Sequence, residues 1–295
     1  MKKFRFSTIL LFLSLLGLTA CSPIAVLNPK GPVAKIQSDT IILATSFMAV
    51  ILIIVWVLFI YMIAKYRSSN LPEDYEPPYM KGSKWMEILW TSLAIAVVAY
   101  LSVVTVTTTY EVEGTPKGYE DKDPLVIYAA SSNWKWHFSY PEEGIETVNY
   151  VNIPTKREVE FRLYSYGPIT SFWVPQLAGQ KYAMSDMVTT LRLVADEQGS
   201  YYGRNANFSG KGFAQMDFEV LAMSPVEFED WVKDVDTSAP KLTEKEFDKL
   251  LDTEMMGRAT YSSTHLDFKP APVWPFADHG TDDKSDSNNT DVHEH

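Results

Sequence analysis

The sequence predicts a membrane protein with two spanning helices in a hairpin, followed by an all-β domain outside the cytoplasm and short C-terminal helices. Three observations predict this class. Residues 40–64 and 88–110 are two long runs without a charged side chain. From Pro124 onward the chain changes to short segments rich in β-branched and aromatic residues, separated by turn clusters. After the β segments, two capping-box sequences predict short helices.

These observations divide the chain into five parts. Residues 1–20 form a signal peptide, and residues 21–111 form the N-terminal stretch and the hairpin. Residues 112–223 form the β domain, and residues 224–278 form short helices and an extension. Residues 279–295 are polar and acidic, so they bury too little apolar surface to order themselves. The three histidines of this tail, His279, His293 and His295, have no fixed geometry that would predict a metal site.

The N-terminus predicts secretion and lipidation. Lys2, Lys3 and Arg5 precede an apolar run over 9–18, which is the arrangement of a secretory signal. The run ends in Leu-Thr-Ala-Cys, which resembles the bacterial lipobox, so we expect Cys21 to be the lipidated mature N-terminus. The alternative is a lone buried cysteine. Because Cys21 is the only cysteine, a disulfide within one chain is excluded.

Length and charge predict how the hairpin crosses the membrane. The two uncharged runs contain 25 and 23 residues, and each spans a hydrocarbon core of about 30 Å. The linker between them is basic, with Lys65, Arg67, Lys81 and Lys84. The positive-inside rule therefore places the linker in the cytoplasm and both ends of the hairpin outside, as a lipidated Cys21 also requires.

The β domain is predicted as a sandwich or barrel of about 100 residues. Polar and apolar residues alternate over 158–164, which predicts a strand with one buried and one solvent-exposed face. Trp134 and Trp136 lie two apart, so we expect them on one face of a strand and in the core. The predicted strands lie at 125–128, 134–140, 158–164, 188–194 and 215–221.

Two helices and an acidic surface complete this description. Ser224-Pro225-Val226-Glu227 predicts a helix through Trp231, and Thr243 opens another. The whole chain carries a net charge of −11, and removal of the three basic residues in 1–20 would leave −14. Such an acidic exterior does not suit nucleic acid.

A Gly-rich loop over 203–216 and the upstream run 170–175 carry the most specific pattern. Taken alone, the loop is an ordinary β-turn. Together with the hairpin, the run Trp85-Met86-Glu87-Ile88-Leu89-Trp90-Thr91 and the Trp-x-Trp pair at 134 and 136, it resembles subunit II of the haem-copper oxidases. The resemblance covers nearly all of the mature chain and implies a cupredoxin-like β domain.

The resemblance also implies where copper ligands would lie. In copper-bearing subunits II this loop holds two cysteines, a histidine and a methionine, with one more histidine upstream. Those places fall here on Asn205, Ser209, Phe213, Met216 and Thr170, and only the methionine is of ligand type. A dinuclear copper centre needs thiolates and imidazoles. We therefore expect no metal and no cofactor in this chain, and we interpret His137 as a strand residue.

Among the haem-copper oxidases the chain looks most like subunit II of the bacterial quinol oxidases. The runs Trp134 to Pro141, Gln180 to Met184 and Tyr202 to Met216 carry that likeness. It implies a subunit of a respiratory complex that oxidises quinol, with menaquinol expected, reduces dioxygen to water and pumps protons. Haems and copper would lie in the partner subunit I, and cytochrome c would not be a partner. The complex would lie in the bacterial cell membrane, with the β domain on its outer face.

The same resemblance gives Glu87 a role. Its place in the Trp-x-Glu-x-x-Trp run matches a family glutamate at the entrance of a proton channel into the catalytic subunit. The alternative is an interfacial glutamate that ends the span, since charges commonly bracket membrane helices. The alternative function for the whole chain is a lipid-anchored cupredoxin-like binding or assembly protein, although such a protein does not need two spans.

Overall fold

The computed structural model describes residues 24–67, 79, 81–119 and 123–273. Cys21, the signal peptide and the tail over 279–295 lie outside these residues. Two helices come first, α1 (Pro32–Lys65) and α2 (Lys84–Glu113). Both are long and apolar enough to cross a membrane by length and composition, with mean hydropathies of 3.0 and 2.1. Their outward faces are exposed, and Phe47 meets Tyr100 between them at a ring distance of 5.5 Å.

The β domain is a sandwich of two sheets. The strands are β1 (Leu125–Ser132), β2 (Lys135–Tyr140), β3 (Ile145–Val148), β4 (Tyr150–Pro154), β5 (Val159–Ser165), β6 (Thr170–Trp173), β7 (Gln180–Ala183), β8 (Thr189–Leu193), β9 (Gly199–Asn205), β10 (Asp217–Met223) and β11 (Ala259–Tyr261). One sheet has the order β11-β3-β2-β1-β5-β8, and the other has β4-β10-β9-β6-β7. The pairs β1/β5 and β4/β10 are parallel and the others antiparallel.

An aromatic cluster fills the space between the two sheets. Phe172 and Phe218 stack at a centroid distance of 4.8 Å, and Trp136 meets both rings edge-on at 5.3 and 5.7 Å. Phe138 and Phe161 complete the cluster, and all five side chains are buried. Such large apolar side chains dominate the energy of a small core. This core fixes the strand ends that carry the Gly-rich loop.

Both helices are fastened to the sandwich at the same end. Buried Val33 and Ala34 pack the start of α1 on the domain, and the backbone of Lys30 exchanges hydrogen bonds with Gln176 and Asp196. At the end of α2, Lys181 forms an ion pair with Glu113 at 2.7 Å. The hairpin and the β domain are therefore joined by packing and not only by the chain.

Two more helices follow the sandwich. Helix α3 (Pro225–Ser238) opens with a complete capping box at Ser224, and α4 (Glu244–Asp252) opens with one at Thr243. Each box satisfies amide donors that the first turn leaves free. The end predicted for α3 at Trp231 was wrong, because the helix continues for two more turns. Val235, in those added turns, is buried in the core of the sandwich together with Phe228 of the first turn.

Two predictions about the strands were also wrong. The segment over 158–164 is buried on both faces except at Arg162, and Glu158 and Glu160 are only 2% and 8% exposed. Arg192 of the neighbouring strand bridges both carboxylates, at 3.0 and 2.9 Å, which permits their burial. Trp134 does not share a strand with Trp136. It lies in the turn before β2 with a positive φ of 61°, half-buried, while Trp136 is in the core.

Candidate functional site

The structure brings four of the five copper-ligand places together at one end of the sandwich. Asn205 ends β9, Thr170 begins β6, and the two strands pair side by side. Ser209 lies in the loop that follows β9, and Met216 lies directly before β10. Phe213, the fifth, lies half-buried on a 3₁₀ turn and faces Phe208 at a ring distance of 5.6 Å.

Asn205 is the centre of this group. Its amide nitrogen donates to the Ser209 hydroxyl at 3.0 Å and to the Met216 sulfur at 3.3 Å. Its amide oxygen accepts from the backbone N–H groups of Ser171 at 2.8 Å and Asn207 at 3.0 Å. An amide side chain has two donor hydrogens and two acceptor lone pairs, so all of its hydrogen-bonding capacity is used. These four hydrogen bonds of Asn205, which we name the Asn205 bracket, close the loop by joining it to Ser171, Asn207, Ser209 and Met216.

A small cavity of about 20 Å³ lies beside this bracket, lined in part by Ser131, Thr170, Ser209 and Met216. The Ser131 and Thr170 hydroxyls are hydrogen-bonded to each other at 2.8 Å. A volume of this size is enough for one water molecule, which needs polar partners of this kind. The space suits a bound water better than two metal ions with their ligands.

The chemistry of the bracket differs from that of a copper site. Hydroxyls, an amide and one thioether are neutral groups, whereas copper electron-transfer sites use thiolate and imidazole ligands. Among the described residues, no group of three or more His, Cys, Asp or Glu side chains is arranged to hold a metal ion. Trp134 covers the loop, donating to the Ser209 carbonyl at 3.3 Å, and Lys211 lies 5.5 Å above its ring.

Glu87 lies far from this loop, in the first turn of α2. Its backbone N–H donates to the carbonyl of Ser83, the N-cap residue, at 3.1 Å, and its side chain is exposed. A carboxylate in the first turn is favoured by the positive end of the helix dipole.

A buried polar cluster was not predicted from the sequence. His137 of β2, Glu146 of β3 and His265 are all fully buried, and the Glu146 carboxylate lies 3.6 and 2.7 Å from the two imidazoles. His265 and Glu146 are 119 residues apart. Only the long-range contact of the C-terminal extension with the sandwich brings them together, so no local sequence signal could have revealed the cluster.

Fold and site together define a class: two apolar helices long enough to cross a membrane, joined to a β-sandwich whose Gly-rich loop carries hydrogen-bonding residues at four of the copper-ligand places. No protein-family profile matches the chain. The periplasmic domain of cytochrome oxidase subunit II from Bradyrhizobium japonicum is a structural neighbour. It has a TM-score of 0.37 and 22% identity, covering 38% of this chain and 93% of its own.

Two curated relatives are much more similar in sequence. Quinol oxidase subunit 2 of Bacillus cereus is 48% identical over 255 residues, covering 86% of this chain and 88% of the relative. Quinol oxidase subunit 2 of Bacillus subtilis is 46% identical over 267 residues, covering 90% and 80%. The chain belongs to the quinol oxidase subunit 2 family. The resemblance and the fold class predicted from the sequence are confirmed.

Proposed function

We propose that the chain is subunit II of a respiratory complex that oxidises quinol, with menaquinol as the expected substrate, reduces dioxygen to water and pumps protons. In this proposal the chain holds no catalytic metal, and the haems and copper belong to the partner subunit I. The observation that carries it is the Asn205 bracket, in a chain whose relatives are named quinol oxidase subunit 2. The bracket ties Ser209 and Met216 together without a metal.

A quinol donor makes the bracket chemically reasonable. Quinol is lipid-soluble, so it meets an oxidase within the bilayer and gives electrons to a haem there. A β domain outside the membrane is then not on the electron path, and the chain does not need cytochrome c. The exposed apolar faces of α1 and α2 supply surface for lipid and for the catalytic subunit.

Isolation from bacterial membranes tests the complex. We expect the chain, purified in mild detergent, to bring with it a haem-bearing subunit with quinol-dependent oxygen consumption. A chain that purifies alone, without haem, would instead support the lipid-anchored binding or assembly protein.

Copper loading tests the proposed absence of a metal centre. We expect residues 112–278, expressed as a fragment, to bind no dinuclear copper, because Thr170, Asn205, Ser209 and Phe213 offer neither thiolate nor imidazole. Circular dichroism first establishes that the fragment is folded. Metal analysis and near-infrared absorption then give the result. Two coppers per folded fragment would contradict the proposal.

We further propose that Cys21 carries the lipid and that residues 40–64 and 88–110 cross the membrane with the β domain outside. Cys21→Ser is expected to abolish incorporation of a labelled acyl chain while the protein stays in the membrane. Two spans bind a membrane far more tightly than acyl chains do. Fractionation after palmitate labelling measures both properties, and variant protein in the soluble fraction would contradict the two-span arrangement.

Glu87 is the proposed entrance for protons taken up from the cytoplasm. Its position in the first turn of α2, at the end of the span next to the basic linker, supports this role, because a carboxylate at a membrane boundary can take up protons from water. The same position is compatible with a residue that only ends the span. Substitution of Glu87 separates the two interpretations.

A further inference from the structure

The C-terminal cover, residues 240–269, lies over one edge of the sandwich and closes a buried polar cluster. Its own apolar residues Leu242, Phe247 and Leu250 are buried. Backbone carbonyls of the cover accept hydrogen bonds from the sandwich: Thr253 from Lys135 at 2.5 Å and Leu251 from Asn133 at 2.6 Å. The cover is therefore a docked element with a defined contact surface.

Beneath the cover, the two oxygens of Glu146 have different surroundings. Oε2 accepts from the His265 backbone N–H at 2.8 Å and lies 2.7 Å from His265 Nδ1, with Ser139 Oγ at 3.2 Å. Oε1 faces Nδ1 of His137 at 3.6 Å, beyond hydrogen-bond distance, and within the described part of the chain neither atom has a hydrogen-bond partner. Oε2 holds the cover through His265. The gap between Oε1 and His137 is a buried position that can take a proton.

The remaining contacts fix both imidazole rings. His137 Nε2 is hydrogen-bonded to Ser132 Oγ at 2.8 Å, and His265 Nε2 to the Tyr164 hydroxyl at 2.6 Å. The Phe247 ring of α4 stacks on His265 at a centroid distance of 4.3 Å and meets His137 edge-on at 5.3 Å. The rings cannot turn toward water while the cover is docked, so a charge placed on His137 stays buried.

We propose that His137, Glu146 and His265 form a proton-sensitive lock, which holds the C-terminal cover on the sandwich and opens when His137 binds a proton. The ligand of this site is a proton from the medium around the β domain. The proposal rests on the geometry of the cluster and does not depend on the proposed oxidase activity.

The electrostatics give the direction of the effect. Burial lowers the pKa of His137, and the attraction of Glu146 offsets only part of this, while His265 and Lys135 add to the lowering. For Glu146, burial acts to raise the pKa, but the two histidines lower it to about 2. The docked state therefore favours neutral His137 beside ionised Glu146. Among the described residues, the other ionisable groups around the cluster include Lys135, Tyr164, Tyr166, Tyr261 and Lys269.

The pH range follows from these directions. When the cover opens, His137 reaches water and returns to an ordinary pKa of about 6.5, so the open state binds protons more readily than the docked state. The contribution of neutral His137 to the stability of the docked cover is then fully present above about pH 6.5 and is lost as the pH falls. Ionised Glu146 adds docking stability above its ordinary pKa of 4.5, and this part is lost between 4.5 and about 2.

Hydrogen exchange of the full-length chain in its membrane complex tests the lock. We expect the amides of α4, corrected for intrinsic exchange rates, to lose about tenfold in protection between pH 7.5 and 5.5, as one titrating group with a lowered pKa predicts. Strands β1 and β5 should keep their protection. Exchange at the histidine C2 positions of the same sample should show His137 titrating over the pH range in which α4 opens.

Two variants separate the lock from simple packing. His137→Gln keeps a donor for Ser132 but does not titrate, so α4 should hold constant protection over this pH range. Phe247→Leu should reduce the protection of the α4 amides by the same factor at every pH. The tenfold difference in protection between pH 7.5 and 5.5 should therefore remain. Constant protection of α4 in the wild-type chain would overturn the proposal without any variant. A full tenfold loss in folded His137→Gln would overturn the assignment to His137.

Discussion

Glu87→Ala is expected to slow quinol-dependent oxygen consumption of the assembled complex by about tenfold at unchanged haem content. A side chain that transfers a proton in the rate-limiting step contributes about 10²-fold or more. At the cytoplasmic end of a span, water can also deliver protons past the missing carboxylate, so we expect the loss to stay below that value. Oxygen consumption per haem, with assembly established first by the optical spectrum, measures the effect.

Three related variants sharpen this test. Glu87→Gln keeps the shape of the side chain and should be as slow as Glu87→Ala, whereas Glu87→Asp keeps a titrating group and should be milder. Glu111→Gln removes a carboxylate near the other end of the same helix, where Glu111 pairs with Lys117 at 2.6 Å. That matched control should retain normal turnover. Full activity of Glu87→Ala at normal haem content would leave Glu87 as a residue that only ends the span.

The parts of the fold that could be predicted from sequence are those encoded locally. A long uncharged run predicts a membrane helix by itself, and the boxes at Ser224 and Thr243 place two helix starts because capping involves only neighbouring residues. Strands β1, β5 and β10 were visible in their aliphatic composition. The family resemblance could also be recognised from the sequence, because each of its motifs is a short run of neighbouring residues.

The missed strands are short or follow one another closely. Strands β3 (Ile145–Val148) and β4 (Tyr150–Pro154) are separated only by Asn149, whose positive φ of 59° turns the chain from one sheet into the other. No Gly or Pro marks that corner. Strands β6 and β9 contain Thr170 and Asn205 of the copper-ligand places, and β7 has only four residues. The alternation of apolar and polar residues in these strands is too irregular to indicate a strand.

The buried charges illustrate why the site could be predicted only in part. The sequence places Thr170, Asn205, Ser209 and Met216 by motif, and the structure brings them together. The sequence does not reveal that Asn205 uses all four of its hydrogen-bonding positions there. Burial of a carboxylate depends on a partner from another element, such as Arg192 for Glu158 or His265 for Glu146. Those partners follow from the topology and not from the local pattern.

The second large effect is expected at Gly203, which lies beneath the aromatic core two residues before Asn205. Gly203 pairs with Phe218 across β9 and β10, and a Cβ added at Gly203 would lie 2.2 Å from the Phe218 ring. That ring stacks on Phe172 and meets Trp136, so it has no free space into which to move. Overpacking of a filled core costs about 1–3 kcal/mol.

Gly203→Ala should therefore lower the melting temperature of the β domain with its C-terminal helices by about 2–12 °C, since each kcal/mol corresponds to about 2–4 °C in a folded unit of about 150 residues. Intrinsic tryptophan fluorescence of the full-length chain during heating reports the transition through buried Trp136 together with the other tryptophans of the chain. Gly167→Ala is the matched control, because nothing lies within 4 Å of the added Cβ, and it should shift the transition by less than about 2 °C. Equal melting temperatures for wild type and Gly203→Ala would mean that the Phe218 stack is loose enough to accept a methyl group, contrary to the packing described.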